Sequence, residues 1–420
     1  MSCNTRVAFH VAGLIGFTWL IPTFAGELMP LKLDDAVRLA EQHAPALDAR
    51  QAALQSAQYA IGPAGQLPDP ELEFGIDSLP VNTDERFSLT RDNFTERKIG
   101  LTQSFPRKEK RALRTQRAEA SAAREQALLT TQLLSVGESV ARAWIARHTA
   151  ERRLMLLESL RPRVAAELTA ATAGLSAGRG SAADAIAAKS GQATLEDRIS
   201  EARREVEDAR ADLARWLPDA EDRALGDAPD WTNLGTDPDK LLSHIGHHRE
   251  LLAYDAAEQE ANADVALARA EKHPDWSVEL SYAQRGPQYS NFLSVMVRVP
   301  LPIFARYRQD PTIASKAAAV AQIEAEREDA LRMHTAELRK TLNTWRSSTE
   351  RVRRYEKELL PLADDRADAA LAAYRGGGGN LQASLSALDN AIEQRIAYTD
   401  LLNTLGQSWA ALHFAFPEEH

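Results

Sequence analysis

Cysteine is nearly missing from this chain: one residue, Cys3, in 420. A single thiol forms no internal disulfide and no thiolate metal cluster. A chain with no thiol beyond position 3 suits an oxidising compartment. Aromatic residues are scarce at 6%, and no internal run of about 18 apolar residues occurs, which excludes a multi-span helical membrane protein. Positive charge is in deficit, with Lys+Arg 50 against Asp+Glu 60 and a net charge of −10. Nucleic-acid binding needs a basic face, so no nucleic-acid partner is expected. Catalytic signatures are missing too. There is no nucleophile elbow, P-loop, HExxH or Cys–His cluster. Gly376 to Gly379 lack the preceding strand and the Lys-Ser/Thr of a phosphate loop. Neither an enzyme nor a cofactor is expected.

What is present begins with MSCNTRVAFHVAGLIGFTWLIPTFAGE. Arg6 supplies a positive start, Val11 to Ile21 an apolar stretch too short to span a bilayer, and Thr23-Phe24-Ala25 a small-residue end. This predicts a secretory signal over 1–25, cut after Ala25; a buried N-terminal helix is the alternative. Cys3 precedes the apolar stretch, so lipidation there is not expected.

The remainder repeats once, at a shift of roughly 200 residues. LPDPELEFGI at 67–76 matches HPDWSVELSY at 273–282. Pro106 and Pro302 each end an apolar stretch and precede a basic cluster, and AGRGSAADAIAA at 177–188 matches GGGGNLQASLSA at 376–387. The order is the same in both halves, giving repeats over 26–217 and 238–416, a Pro-, Asp- and Gly-rich linker over 218–237 and a short tail over 417–420. Each half reads helix, β-hairpin (about 69–106 and 274–302), long helix, tip (174–181 and 376–380), helix.

The hairpins show period-two alternation. Leu72, Phe74 and Ile76 oppose Glu71, Glu73 and Gly75; Trp276, Val278, Leu280 and Tyr282 oppose Ser277, Glu279 and Ser281; Val295 and Val297 oppose Ser294 and Met296. Strands of about 9–11 residues suit a tilted membrane β-barrel. The apolar set is expected to face lipid. Glu71, Glu73 and Glu279 are expected to line the lumen, either as acidic rings favouring cations or as ordinary polar lumen positions. The corner residues Arg107, Lys108, Lys110, Arg111, Arg306 and Arg308 suit anionic headgroups, or plain solvation.

The helical parts are long and rich in Ala, Glu, Arg and Leu. One helix is expected over 31–62 and one rod over 107–173. Leu195, Ile199, Ala202, Val206, Ala209, Leu213 and Trp216 alternate spacings of four and three, a heptad seam. The two shorter helices of each half together match the long one, so they stack end to end beside it in antiparallel packing. The fold class is then mainly α with a small membrane β part. Four strands do not close a barrel, and open edges do not face lipid. Three chains supply twelve strands, with the helical rods closing into a periplasmic tube below.

The paired PDP/PDW openings, the QSFPRKEKR and PLPIFARYR corners and the paired tips AGRGSAAD and YRGGGGNL resemble the TolC-like outer-membrane factor family over the whole mature chain. The tip and corner look most like its heavy-metal cation branch, the CzcC- and CusC-like components. The resemblance implies a homotrimeric Gram-negative outer-membrane channel with a periplasmic α-barrel, partnered by a periplasmic adaptor and an inner-membrane proton-driven (RND-type) pump. It implies adaptor docking and a periplasmic aperture at Gly178, Arg179, Gly180, Ser181, Asp184, Gly376, Gly377, Gly378, Gly379 and Asn380. Some members carry aspartates after the second tip where Ala383 and Ser386 stand here, so the gate is expected to rest on Asp184 and packing. A side chain at Gly180 or Gly378 is expected to meet a positive-φ penalty. Cargo stays open between metal cations, drugs and secreted proteins. A structural periplasmic coiled coil is the reading outside transport, and two amphipathic hairpins argue against it.

His244, His247 and His248 fall at i, i+3 and i+4, a spacing able to hold a divalent metal if the segment is helical. A solvated helix beside the linker is the simpler reading, and no resident metal is expected.

Overall fold

The structure is a computed structural model and describes residues 29–178, 180–220 and 222–417. The expected signal peptide, Cys3 and Arg179 lie outside the described residues. The first half runs α1 (Leu33–His43), α2 (Pro45–Ala64), β1 (Glu71–Asp77), β2 (Glu96–Phe105), α3 (Lys108–Glu158), α4 (Arg161–Ser176) and α5 (Ala182–Ala214). The second runs α6 (Pro238–Ser243), α7 (Arg249–Ala270), β3 (Trp276–Gln284), β4 (Phe292–Arg298), α8 (Gln309–Arg354), α9 (Leu360–Arg375) and α10 (Leu381–His413). No helix among the described residues is long and apolar enough to cross a membrane.

Prolines set the breaks. The helix expected over 31–62 is two helices, because Pro45 begins α2 and Ala44 before it is extended; a residue preceding proline is pushed out of the helical region. Pro63 sits inside the last turn of α2, which ends one residue later at Ala64. The rod expected over 107–173 also divides. Ser159 and Leu160 separate α3 from α4, and Pro162 lies in the first turn of α4. The second half repeats this break: α8 passes through a π-helical turn at Tyr355–Leu359, and Pro361 lies in the first turn of α9. A proline removes one intrahelical donor and crowds the carbonyl four residues back, so the ladder is re-formed around it.

The heptad residues Leu195, Ile199, Ala202, Val206, Ala209 and Leu213 are all buried. Leu195, Ile199 and Ala202 pack with Leu157, Leu160 and Val164, and Leu388 and Ile392 of α10 complete the layer. The largest core lies where the two halves meet, around Trp144, Ile145, Leu213, Leu342, Trp345 and Leu405. The segment 218–237 is part of it. Trp231 is buried there, and Leu31 exchanges backbone hydrogen bonds with Ala224 and Gly226. Three indoles pin these irregular strands to the rods. Trp144 donates to the Leu31 carbonyl at 2.9 Å, Trp345 to the Trp231 carbonyl at 2.8 Å and Trp409 to the Asn233 carbonyl at 2.9 Å. Trp345 and Trp409 satisfy carbonyls outside any ladder, and Trp144 adds a second bond to the Leu31 carbonyl, which also accepts from the Gly226 amide.

The strands form one antiparallel sheet in the order β1-β2-β3-β4. The β2–β3 pair joins the two halves, from Arg97 opposite Gln284 to Phe105 opposite Trp276. β1 and β4 carry the sheet's two edges. They have 7 residues each, against 10 for β2 and 9 for β3, because a strand bonded on one side loses its ladder earlier.

At the foot of the sheet Lys110 is 2% exposed and lies 3.2 Å from Glu271 and 3.0 Å from Asp275. Asp275 also accepts from the Arg107 amide at 3.1 Å. Lys110 is therefore an internal tie between α3 and the start of β3, and a headgroup-facing role is ruled out by its burial. Arg306 and Arg308 remain exposed. Lys110→Met is expected to lower stability by about 1–3 kcal/mol, below the cost of breaking a fully buried pair, because Glu271 and Asp275 keep contact with water. The midpoint of denaturant unfolding in detergent measures it. An unchanged midpoint would show that the tie contributes nothing.

Candidate functional site

Register assigns the faces of the sheet, because directly opposed residues share a side. One face carries the rows Leu72–Leu101–Leu280–Val295 and Phe74–Ile99–Tyr282–Leu293, with Val278 opposite Val297. Phe105 stacks on Trp276 at 4.4 Å at the helical end. Ile76 lies in the row of Arg97 and Gln284, beside the loops. The expected apolar residues thus share one face, and Ile99, Leu101 and Leu293 extend it. The alternation of KIGLTQSF carried that signal for Ile99 and Leu101. Leu280 and Tyr282 are 47% and 43% exposed, a continuous apolar surface that water does not favour.

The other face carries Glu71–Thr102–Glu279–Met296 and Glu73–Gly100–Ser281–Ser294. Glu279 and Ser281 are each only 6% exposed, so the sheet curls toward this side and crowds it. Glu71, Glu73 and Glu279 therefore share the concave face. Glu279 is not a free carboxylate, however. Lys98 donates to it at 2.7 Å, and Arg298 lies 3.6 Å away. Lys98 is on β2 and Arg298 on β4, so the pairing appears only once the strands are in register. Glu71, Glu73, Asp77 and Glu96 share this face and have no ion pair among the described residues.

The two tips have the same construction. Gly178 (φ +71) and Gly377 (φ +78) take the left-handed conformation after α4 and α9. The Gly180 amide donates to Gly174 and the Gly379 amide to Ala373, at 3.0 and 3.1 Å. Ser181 and Asn380 then cap α5 and α10, accepting from the Asp184 and Ala383 amides. Two expectations change. The positive φ angles fall on Gly178 and Gly377, and Gly180 and Gly378 do not carry them. A Cβ at Gly180 would lie 3.1 Å from the Leu175 nitrogen, whereas at Gly378 it meets nothing nearer than 4.0 Å. Asp184 closes a capping box: the Ser181 amide and hydroxyl donate to it at 2.8 and 2.9 Å. These bonds hold its carboxyl below the usual carboxylate range. Asp184 is engaged in its own helix start within this chain.

His244, His247 and His248 do not share a helix face, because α6 ends at Ser243 and a tight turn follows. His244 bonds back to the Lys240 carbonyl at 2.8 Å. His248 caps α7 by accepting from the Glu250 amide at 3.3 Å and stacks on His334 at 4.8 Å. Burial pushes its pKa down to about 4, helped by His334 and Arg249. Among the described residues no group of three His, Cys, Asp or Glu is placed to hold a metal.

A sheet with one apolar face, one charged concave face and two free edges, standing on long paired helices, is part of a shared barrel. The profile of the "Outer membrane efflux protein" family matches residues 36–217, the first half. The cobalt-zinc-cadmium resistance protein CzcC of Cupriavidus metallidurans is 26% identical over 415 residues, covering 98% of this chain and 94% of CzcC.

The first half of the chain thus carries the pattern of the outer-membrane efflux protein family.

Solved structures share the fold of both halves. The Campylobacter jejuni outer-membrane channel CmeC superposes with a TM-score of 0.75 at 13% identity, covering 91% of this chain and 86% of CmeC. CusC superposes with a TM-score of 0.72 at 15% identity, covering 93% and 94%. This channel protein is not an enzyme; it resides in the Gram-negative outer membrane, with its helices forming the periplasmic tunnel.

Proposed function

We propose that three copies of this chain form the outer-membrane duct of a tripartite, proton-driven pump that exports heavy-metal cations. A periplasmic adaptor meets the tips, and an inner-membrane RND-type transporter feeds the duct. The metal assignment is carried by the likeness to a cobalt-zinc-cadmium resistance protein over nearly the full length of both chains. Trimerisation is supported by the open sheet: four strands cannot close, and unpaired backbone in lipid costs several kcal/mol per group. The unpaired Glu71 and Glu73 on the concave face suit a cation duct that holds its cargo weakly.

Deletion of the gene is expected to sensitise the host to cobalt, zinc, cadmium or copper-group ions, with the plasmid-borne gene restoring growth. Sensitivity to drugs alone, or loss of a secreted protein, would replace the metal reading with drug efflux or type I secretion. The duct itself is tested in planar bilayers. Glu73→Gln is expected to lower the cation-to-anion permeability ratio by roughly twofold, since it removes one uncompensated charge per chain from a water-filled lumen. Glu279→Gln, which leaves Lys98 and Arg298 facing the lumen without their partner, is expected to lower it further. Unchanged ratios in both would remove the concave face from the conduction path.

A further inference from the structure

One buried acid near the tips has no role in the duct as described. Glu167 on α4 is 2% exposed, and Ser384 on α10 is fully buried. The Ser384 hydroxyl donates to Glu167 Oε1 at 2.5 Å, across the boundary between the two halves. Oε2 of the same carboxyl is buried with no hydrogen-bond partner. An ionised carboxylate left in this way pays a large desolvation cost, whereas a protonated one does not.

The surroundings offer little to hold a negative charge. The helix α5 packs Ala188 and Leu195 against α4. The helix α10 presents Leu381, Ser384 and Leu388. One turn back on α4, Arg163 is already committed to Asp364 at 2.7 Å and Asp368 at 2.9 Å on α9. Asp364 also accepts from Arg395 of α10 at 2.5 Å. Among the described residues, Arg375, at the end of α9, is the charged group acting on Glu167. Two layers therefore join α4 to α9 and α10: an ion-pair layer at Asp364 and, one turn nearer the tips, an acid–hydroxyl layer at Glu167.

We propose that Glu167 and Ser384 form a proton-operated latch that holds the two halves of the chain together at the periplasmic end and releases them when the carboxyl ionises. The proposal rests on the duct reading, because it assigns the latch to the opening of the tunnel's periplasmic end. The two layers respond to pH in opposite senses. Burial raises the pKa of Glu167 above 4.5, more than the Ser384 bond and Arg375 lower it. Its contribution to the packed form is full below about 4.5 and declines as pH rises through the raised value. For Asp364, burial acts upward, but hydrogen bonds from Arg395 and Arg163 outweigh it and hold the carboxyl low. Its contribution is lost only as pH falls below the ordinary carboxylate range. Below the raised value of Glu167 both layers hold, and above it only the ion pairs remain.

The test is amide hydrogen exchange on the full-length protein in detergent, corrected for intrinsic rates, compared between about pH 5 and about pH 8. In the wild type, residues 163–176 and 381–392 are expected to exchange at least about tenfold faster at the higher pH, while the core around Trp144 stays unchanged. Glu167→Gln, neutral at every pH and similar in shape, is expected to stay protected at both. If Glu167→Gln keeps the wild-type response, or if the wild type shows none, the latch is overturned. If Glu167→Gln misfolds, Ser384→Ala is the second probe. The hydroxyl bond lowers the Glu167 pKa, so its removal must move the wild-type transition to higher pH, and an unmoved transition overturns the latch. Exchange reports on the helices whether or not the protein conducts. Absence of conductance at every pH would refute the duct and leave the exchange result standing.

Discussion

Leu280→Arg is expected to remove the protein from the outer membrane. Leu280 occupies the middle of five rows on the apolar face, between Leu101 and Val295 and in line with Leu72. Its side chain is half exposed in the single chain, and lipid would cover it in the barrel. An arginine at mid-depth on a barrel's lipid face costs about 2–4 kcal/mol. A threefold barrel carries three of them, enough to shift assembly by several orders of magnitude. Val297→Arg, one row nearer the helices, is expected to have a smaller effect, because the cost falls toward the interface. The matched control must be a lumen residue with room around it. Ser281 is the obvious sequence choice and a poor one: it is buried on the concave face, and its Cβ lies 3.3 Å from where a Cβ on Gly100 would sit. Ser294 shares its row and is exposed. Ser294→Arg is expected to leave outer-membrane yield within about twofold of wild type, a change below 1 kcal/mol. Fractionation and heat-resistant oligomer on gels measure both. Equal losses for Leu280→Arg and Ser294→Arg would mean that the face assignment is wrong.

Much of this architecture was legible because it is periodic. Period two in WSVELSY fixed which residues of β3 share a side, and the alternating four-three spacing from Leu195 to Leu213 fixed the buried seam of α5. The duplicated order of hairpin, rod and tip was visible for the same reason. What stayed hidden depends on contacts between segments far apart in the chain. Glu279 looked like a bare lumen carboxylate until strand register brought Lys98, 181 positions away, to 2.7 Å. Lys110 looked like one more basic corner residue until Glu271 and Asp275 closed around it. The 218–237 segment has the composition of a linker, yet three tryptophans on or beside the rods use its neighbourhood as hydrogen-bond acceptors. Composition reports local preference and says nothing of what such a segment lies against. The histidines failed for a local reason: their metal-like spacing assumed a helix that stops at Ser243. The tip glycines were recognised as turn residues, but four in a row do not reveal which one turns left-handed.

That last point selects the variant with the second large effect, Gly378→Trp. A docking probe must add bulk to the tip without disturbing its fold. Gly377 fails, because its φ of +78 is unfavourable for any side chain. Gly180 and Gly379 fail, because a Cβ at either lies 3.1–3.2 Å from backbone atoms of the preceding helix. Gly378 has an ordinary φ, and a Cβ there has no atom nearer than 4.0 Å. The indole would therefore project from the tip with the Asn380 cap and the Gly379 hydrogen bond intact. Gly378→Trp is expected to reach the outer membrane at wild-type yield and to unfold at the wild-type midpoint. If the tips meet the adaptor, site-specific cross-linking to it falls at least about tenfold, equivalent to roughly 1.4 kcal/mol of lost docking, and metal resistance falls with it. Glu207→Trp, of equal bulk on an exposed position of α5 far from the tip, is expected to change neither. Gly377→Trp separates a distorted tip from a blocked one, since it alone is expected to raise hydrogen exchange at the start of α10. A Gly378→Trp protein that assembles, keeps its tip protected and still confers full resistance would show that the tips are only turns and that the adaptor binds elsewhere along the helices.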